Sequence, residues 1–138
     1  MEKRIYQRYK RLSSILAKEI EKNHFKGAKN AACNLIRFFY YIGEDKDGIL
    51  LSEFLDTSLQ QLATLDEYYE MEEEEKAELT DRFKDFLREM DRFVNRKSKE
   101  AKIKLFDLAK EVRYLITKKQ FEYSMMKRSK KDIPVTHD

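Results

Sequence analysis

One thiol, two imidazoles and a dense run of carboxylates are the groups in this 138-residue sequence that could do covalent or acid–base chemistry. Cys33 would be a nucleophile if a base stood near it. It lies in a mostly apolar helical stretch, which suits a partly buried small hydrophobe better. Cys33, His24 and His137 together cannot furnish the usual zinc ligand set. A single Cys forms no internal disulfide, so nothing points to a secreted scaffold. Carboxylates crowd Glu67 to Glu89, but acid–base catalysis needs two whose environments differ. A run of Glu on a charged face offers no such contrast. The glycine-rich phosphate loop and the dinucleotide fingerprint are both missing. The expectation is a protein that is not an enzyme and uses no cofactor or metal.

Two short segments come near a known pattern. Glu44-Asp45-Lys46-Asp47-Gly48 with Glu53 resembles an EF-hand calcium loop, which needs its Gly at position six and a bidentate Glu at position twelve. With Gly48 at six, position one is Gly43 and position twelve is Phe54. The first ligand is lost and Glu53 falls one residue early, so an acidic inter-helix loop is expected. His24-Phe25-Lys26-Gly27 resembles the phosphotransfer domains of bacterial signalling, whose pattern has Lys three and Gly four residues after the His. Here they fall two and three after it. A helix-end His complementing the C-terminal dipole is the expectation.

Net charge is +3, distributed unevenly. Residues 1–43 carry ten Lys and Arg against three acids, a net +7; residues 44–90 carry five against sixteen, a net −11; residues 91–138 carry fourteen against seven, a net +7. The termini either fold back over the acidic middle or present cations to an anionic partner. Lys3, Arg4, Arg8, Lys10 and Arg11 are interleaved with Tyr6 and Tyr9. Lys118, Lys119, Lys127, Arg128, Lys130 and Lys131 surround Phe121 and Tyr123. Cations beside rings suit a nucleic-acid strand, with phosphates on the cations and bases on the rings. Two features pull the other way: Tyr9 lies on an apolar stripe, and a pI near 8.8 is short of a strongly basic balance. Asn30, Asn34 and Arg37 recur at i, i+4 and i+7. They form either a solvated edge or a polar seam for a partner with Arg37 as anchor.

Hydrophobic periodicity sets the elements that must position these groups, and it is helical nearly throughout. Ile5, Tyr9, Leu12 and Leu16 mark a first helix over about residues 4–23, with Gly27 as its stop. Ala28, Ala32, Leu35, Phe39 and Ile42 mark a second, apolar on most sides and therefore expected at the centre of the molecule. Gly43 to Gly48 reads as a loop. Leu51, Leu55, Leu62, Leu65 and Tyr69 mark a third helix. Leu79, Phe83, Phe86, Met90 and Phe93 mark a fourth, with coiled-coil-like spacing. Leu105, Leu108, Ala109, Val112, Leu115 and Ile116 mark a last helix, running to about Met126. Neither 70–75 nor 95–99 contains Gly or Pro, so either break is open to being a continuous helix.

The fold expected is all-α: a compact bundle of four to five antiparallel helices over 1–126, a single domain, with a flexible basic tail over 127–138. The partner expected is another protein or a second copy, and Phe83, Phe86, Met90 and Phe93 are the candidate dimer seam if the chain self-associates. The charged start, Met1 to Arg8, has no apolar stretch after it, and uncharged runs such as Phe38 to Gly43 are far short of a membrane span. No leader, no membrane contact and a cytoplasmic location are expected. The function expected is a non-enzymatic protein-interaction module: an adaptor, an inhibitor or a subunit of a larger assembly. The alternative is an RNA- or DNA-binding subunit. In size, helicity and basic ends the chain resembles, in a general way, the small helical subunits of CRISPR ribonucleoprotein complexes, which implies a ribonucleoprotein partner.

Overall fold

A computed structural model of the chain describes residues 1–43 and 46–126. The expected basic tail, with the candidate contacts Lys127, Arg128, Lys130 and Lys131, lies outside the described residues, as do Glu44 and Asp45. Five helices account for nearly all of the rest: α1 (Lys3–Glu21), α2 (Phe25–Ile42), α3 (Lys46–Tyr69), α4 (Glu73–Arg96) and α5 (Lys99–Met126). There is no strand among the described residues.

Local chemistry ends each helix where it does. The α1–α2 corner turns at Asn23, which adopts φ 59° and accepts a 3.0 Å hydrogen bond from the Thr80 hydroxyl of α4. Asn tolerates the left-handed region better than most residues. Gly43 (φ 70°) closes α2, its N–H donating to the Phe39 carbonyl. Both doubtful breaks are real. At the first, Glu70 takes φ 53°, the Met71 N–H donates to the Asp66 carboxylate at 3.1 Å, and the Glu72 N–H donates to Glu75 at 3.0 Å. Met71 is buried, so the turn is drawn into the core. At the second, Lys97 takes φ 53° and Ser98 Oγ accepts the Ala101 N–H at 3.1 Å, capping α5.

The two internal glycines do not stop helices. Gly27 lies inside α2 and Gly48 inside α3. A Cβ on Gly48 would stand 2.4 Å from ring carbons of Phe39, so this glycine lets the α2 aromatic press against α3. The expected Gly43–Gly48 loop is correspondingly shorter, because α3 begins at Lys46.

The helices pack as a closed circuit, α1–α2–α3–α5–α4 and back to α1. Ion pairs Lys10–Asp91 and Lys84–Glu21 show α1 and α4 running in opposite senses. Asp47–Lys102 at one end and stacked Tyr69 and Tyr123 at the other show α3 and α5 running in the same sense. A circuit of five rods cannot alternate throughout, so one like-directed pair is obligatory, and α3–α5 is that pair. The chain is thus a compact all-α bundle with antiparallel neighbours elsewhere. The second helix is not central, as expected from its apolar sides, but one wall of the circuit; its principal neighbours are α1 and α3.

The expected dimer seam is overturned. Phe83, Phe86 and Met90 are fully buried and Phe93 nearly so, inside the chain's own core. Phe86 packs on Phe54 of α3 with ring centroids 5.1 Å apart. The 3–4 spacing marked a helix face that buries itself, and a second copy has no access to it. No helix of the described residues is long and apolar enough to cross a membrane.

Candidate functional site

The α1–α2 interface is built on aromatic packing. Tyr9 is buried with its ring 5.9 Å from Phe39 and 6.4 Å from Phe38. This contact holds the outward-facing neighbours on the two helices around one concavity of about 430 Å³, lined by Arg8, Arg11, Leu12, Asn34, Arg37, Phe38 and Tyr41. The Arg8 guanidinium sits over the Tyr41 ring at 5.8 Å. Arg37 donates to the Asn34 side-chain oxygen at 3.0 Å. Among the described residues none of Arg8, Arg11 and Arg37 forms an ion pair, and α2 contains no acidic residue at all. Two groups of candidates read separately from the sequence, the basic stripe of α1 and the polar stripe of α2, therefore meet in one groove. Asn30 is exposed one turn before Asn34.

The other cations of the basic ends have different fates. Lys10 pairs with Asp91 at 3.7 Å, and the same carboxylate accepts the Tyr6 hydroxyl at 2.8 Å. Lys119 is held by Glu75 at 2.6 Å and by Glu122 at 3.5 Å. Its hydrogen bond to Glu75 is the main reason its ammonium titrates above the ordinary lysine range. Burial raises the Glu75 carboxyl, but the bonds from Lys119, from the Tyr123 hydroxyl and from the Glu72 N–H outweigh it and leave Glu75 below its ordinary value. Lys119 thus meets the acidic middle of the chain, and Lys10 meets Asp91 just beyond it. Lys3, Arg4 and Lys118 remain exposed. Lys118 stands about 30 Å along α5 from the end of the bundle that carries Arg8, at 1.5 Å per residue. The two basic ends do not merge into one patch.

A second surface was not singled out from the sequence. Ile103, Phe106, Tyr114, Phe121 and Met125 lie along one stripe of α5 and are each 61–68% exposed. The inner face of the same helix buries Ala101, Leu105, Val112, Ile116 and Tyr123. A helix apolar on two opposite sides shows weak amphipathicity, so its outer stripe is easily credited to the core. Beside Phe106, in the cleft between the like-directed α3 and α5, lies an apolar pocket of about 190 Å³ walled by Leu50, Leu51, Phe54, Phe86, Phe93 and Ala109 among others. Three of the four acids of α5 are bonded, Glu100 to Arg92 at 3.0 Å and Glu111 to Arg82 at 2.7 Å on α4 and Glu122 to Lys119 along α5 itself, while Asp107 is exposed and forms no ion pair among the described residues. Lys110, Arg113 and Lys118 form no ion pair among the described residues and are exposed; Lys110 lies within the stripe, one turn from both Phe106 and Tyr114, and the other two flank it.

The covalent and metal candidates fare as follows. Cys33 Sγ lies 3.2 Å from the Asp56 carboxylate and 3.7 Å from Lys29 Nζ. Burial, then the Asp56 contact, push its thiol above the ordinary value, the opposite of what a nucleophile needs. His24 sits at the α1–α2 corner, 3.5 Å from Glu19, rather than in mid-helix. Asp47 of the acidic loop is helical and faces Lys102 at 3.8 Å. No three His, Cys, Asp or Glu residues among those described gather as a metal site.

The fold and these surfaces define an all-α five-helix bundle with a basic, tyrosine-rimmed groove and an apolar outer helix. Comparison with protein-family models, curated proteins and solved structures returns no match, so the functional reading rests on the chain's own geometry.

Proposed function

We propose that the protein is a non-enzymatic interaction module whose α5 outer face docks an acidic amphipathic helix of a protein partner. The observation that carries this reading is the five-residue apolar stripe, which nothing in the chain covers among the described residues. Contiguous exposed apolar surface marks interaction sites in soluble proteins. A helix docked on another is read through apolar residues that share one face, and Ile103, Phe106 and Tyr114, at i, i+3 and i+11, share one here. The pocket beside Phe106 offers a seat for one apolar anchor side chain. Lys110, Arg113 and Lys118 complement acids on the partner's flanks. The reading includes a cytoplasmic location, supported by the free Cys33 and the heavily charged composition.

The test replaces Tyr114 with a photo-crosslinking phenylalanine in the native cell and maps the attached peptide. The expected product is a partner segment with helical apolar spacing and Asp or Glu beside it. A Phe106→Asp, Phe121→Asp double variant should lose the adduct while keeping its far-UV dichroism. Adducts only to a second copy or to lipid, or no adduct, would overturn the reading.

A further inference from the structure

The geometry of the α1–α2 groove points to a second function, independent of the α5 face: we propose that it binds single-stranded nucleic acid, with Arg8, Arg11 and Arg37 on phosphates and Tyr41 stacked on a base. The three arginines come from two facing helices and converge on one concavity. Elsewhere on the bundle, cations that approach acids are neutralised, as at Lys10–Asp91, Arg82–Glu111, Arg92–Glu100 and Lys119–Glu75. In this groove none of the three is paired with an acid among the described residues, and a carboxylate-free wall on α2 leaves their field directed outward. Arginine's planar fork matches phosphate oxygens in bidentate fashion, and its weak hydration lowers the cost of contact.

The rings decide between partners. Tyr41 is 79% exposed and Tyr40 is 62% exposed, at the end of α2 beside the arginines. The Arg8 guanidinium lies over the Tyr41 face, as a cation that could equally lie over a stacked base. A solvated ring next to unpaired arginines is how single-strand sites present themselves, because an unstacked base has a free face to offer. A duplex keeps its bases stacked and would leave Tyr41 unused. An acidic helix would need a continuous apolar strip, whereas Phe38 in this groove is itself buried.

Affinity should therefore be modest and salt-dependent. Each phosphate neutralised on a single strand contributes about 0.7 to the slope of log K against log salt, so three contribute about 2. The measurement is fluorescence anisotropy of a labelled oligouridine of about twelve nucleotides with the full chain, across a salt series. The expected result is tighter binding to that strand than to a duplex of equal length. An R8Q/R11Q/R37Q variant should bind about tenfold more weakly or worse, with its salt slope shallower by about 2. Tyr41→Leu should weaken binding by about fivefold or more, with the slope unchanged. Arg88→Gln, on the far side of α4, serves as the control and should change nothing. All three groove arginines are exposed, so the variants should fold, which a dichroism melt checks. Ultraviolet cross-linking of the unsubstituted chain, mapped to Tyr41, reads the same contact without mutation. Wild-type affinity in the triple variant, equal affinity for duplex, or displacement of the strand by oligoglutamate at matching concentration would each overturn the proposal.

Discussion

Glycine substitutions show how far a single position's meaning depends on its neighbours. Gly27 and Gly48 both lie inside helices, where Ala is favoured over Gly by about 1 kcal/mol. A Cβ at Gly27 would meet the Glu19 carboxylate oxygen at 2.2 Å, the far end of a flexible side chain that can swing away. A Cβ at Gly48 would meet the Phe39 ring, which is buried and cannot move without opening the core. Gly27→Ala should therefore hold or raise the melting temperature. Gly48→Ala should lower it, since overpacking costs about 1–3 kcal/mol against the propensity gain. Thermal unfolding of the two variants checks the sign; equal shifts in one direction would contradict the packing described. The sequence marked both glycines as breaks because glycine is the usual punctuation of helices. What distinguished them was tertiary, a ring from another helix, and no local pattern carries that.

Helix boundaries depend on small polar networks, and the one at the α3–α4 turn is titratable. Glu75 accepts from Lys119, from the Tyr123 hydroxyl and from the Glu72 N–H, which joins the start of α4 to the end of α5. A carboxyl held below its ordinary value of 4.5 contributes stability that is fully present above that value and is lost as pH falls through the lower, folded-state value. Tyr123 and Lys119 are both raised, so their contribution is present below about pH 10 and is lost as pH rises through their folded-state values. Glu75→Gln should destabilise the bundle by roughly 1–3 kcal/mol near neutral pH, because it leaves a half-buried ammonium without its partner. The difference in melting temperature between wild type and variant should shrink below about pH 4. A gap independent of pH would mean that shape, not charge, holds the turn. The five helices themselves were legible, since 3.6-residue periodicity survives on every one. The two breaks were not, because left-handed Glu70 and Lys97 replace the glycines a reader looks for. The face of α4 was read correctly as a seam, but spacing alone does not say whether the seam closes on the same chain or on another.

At the scale of the molecule, the circuit α1–α2–α3–α5–α4 sets the α1–α2 edge opposite α5. The arginine groove and the apolar stripe therefore face away from each other across a core packed with Tyr9, Phe39, Phe83 and Phe86. Half of this arrangement could be foreseen. Arg8, Arg11, Asn34 and Arg37 stood out by type and spacing, and folding only had to bring two stripes together; Tyr41 did not, since nothing in its spacing separates it from the apolar flank of α2. The α5 stripe did not, because Phe121 reads as part of a basic end, and Ile103 and Phe106 lie off the seam of Leu105, Leu108, Val112 and Ile116 that marks the helix. The geometry makes a definite claim about coupling. Nothing exposed is shared between the two surfaces, and sites well separated with no common partner add independently. The Phe106→Asp, Phe121→Asp variant should bind the oligouridine strand within about twofold of wild type, and the arginine variant should retain its cross-linked partner at α5. Anisotropy on the first variant and adduct yield on the second measure this directly. Reciprocal loss, each variant abolishing the other's function, would show that the bundle moves as one switch between two states. Independence would instead make it a rigid spacer that holds a strand on one side and a protein on the other.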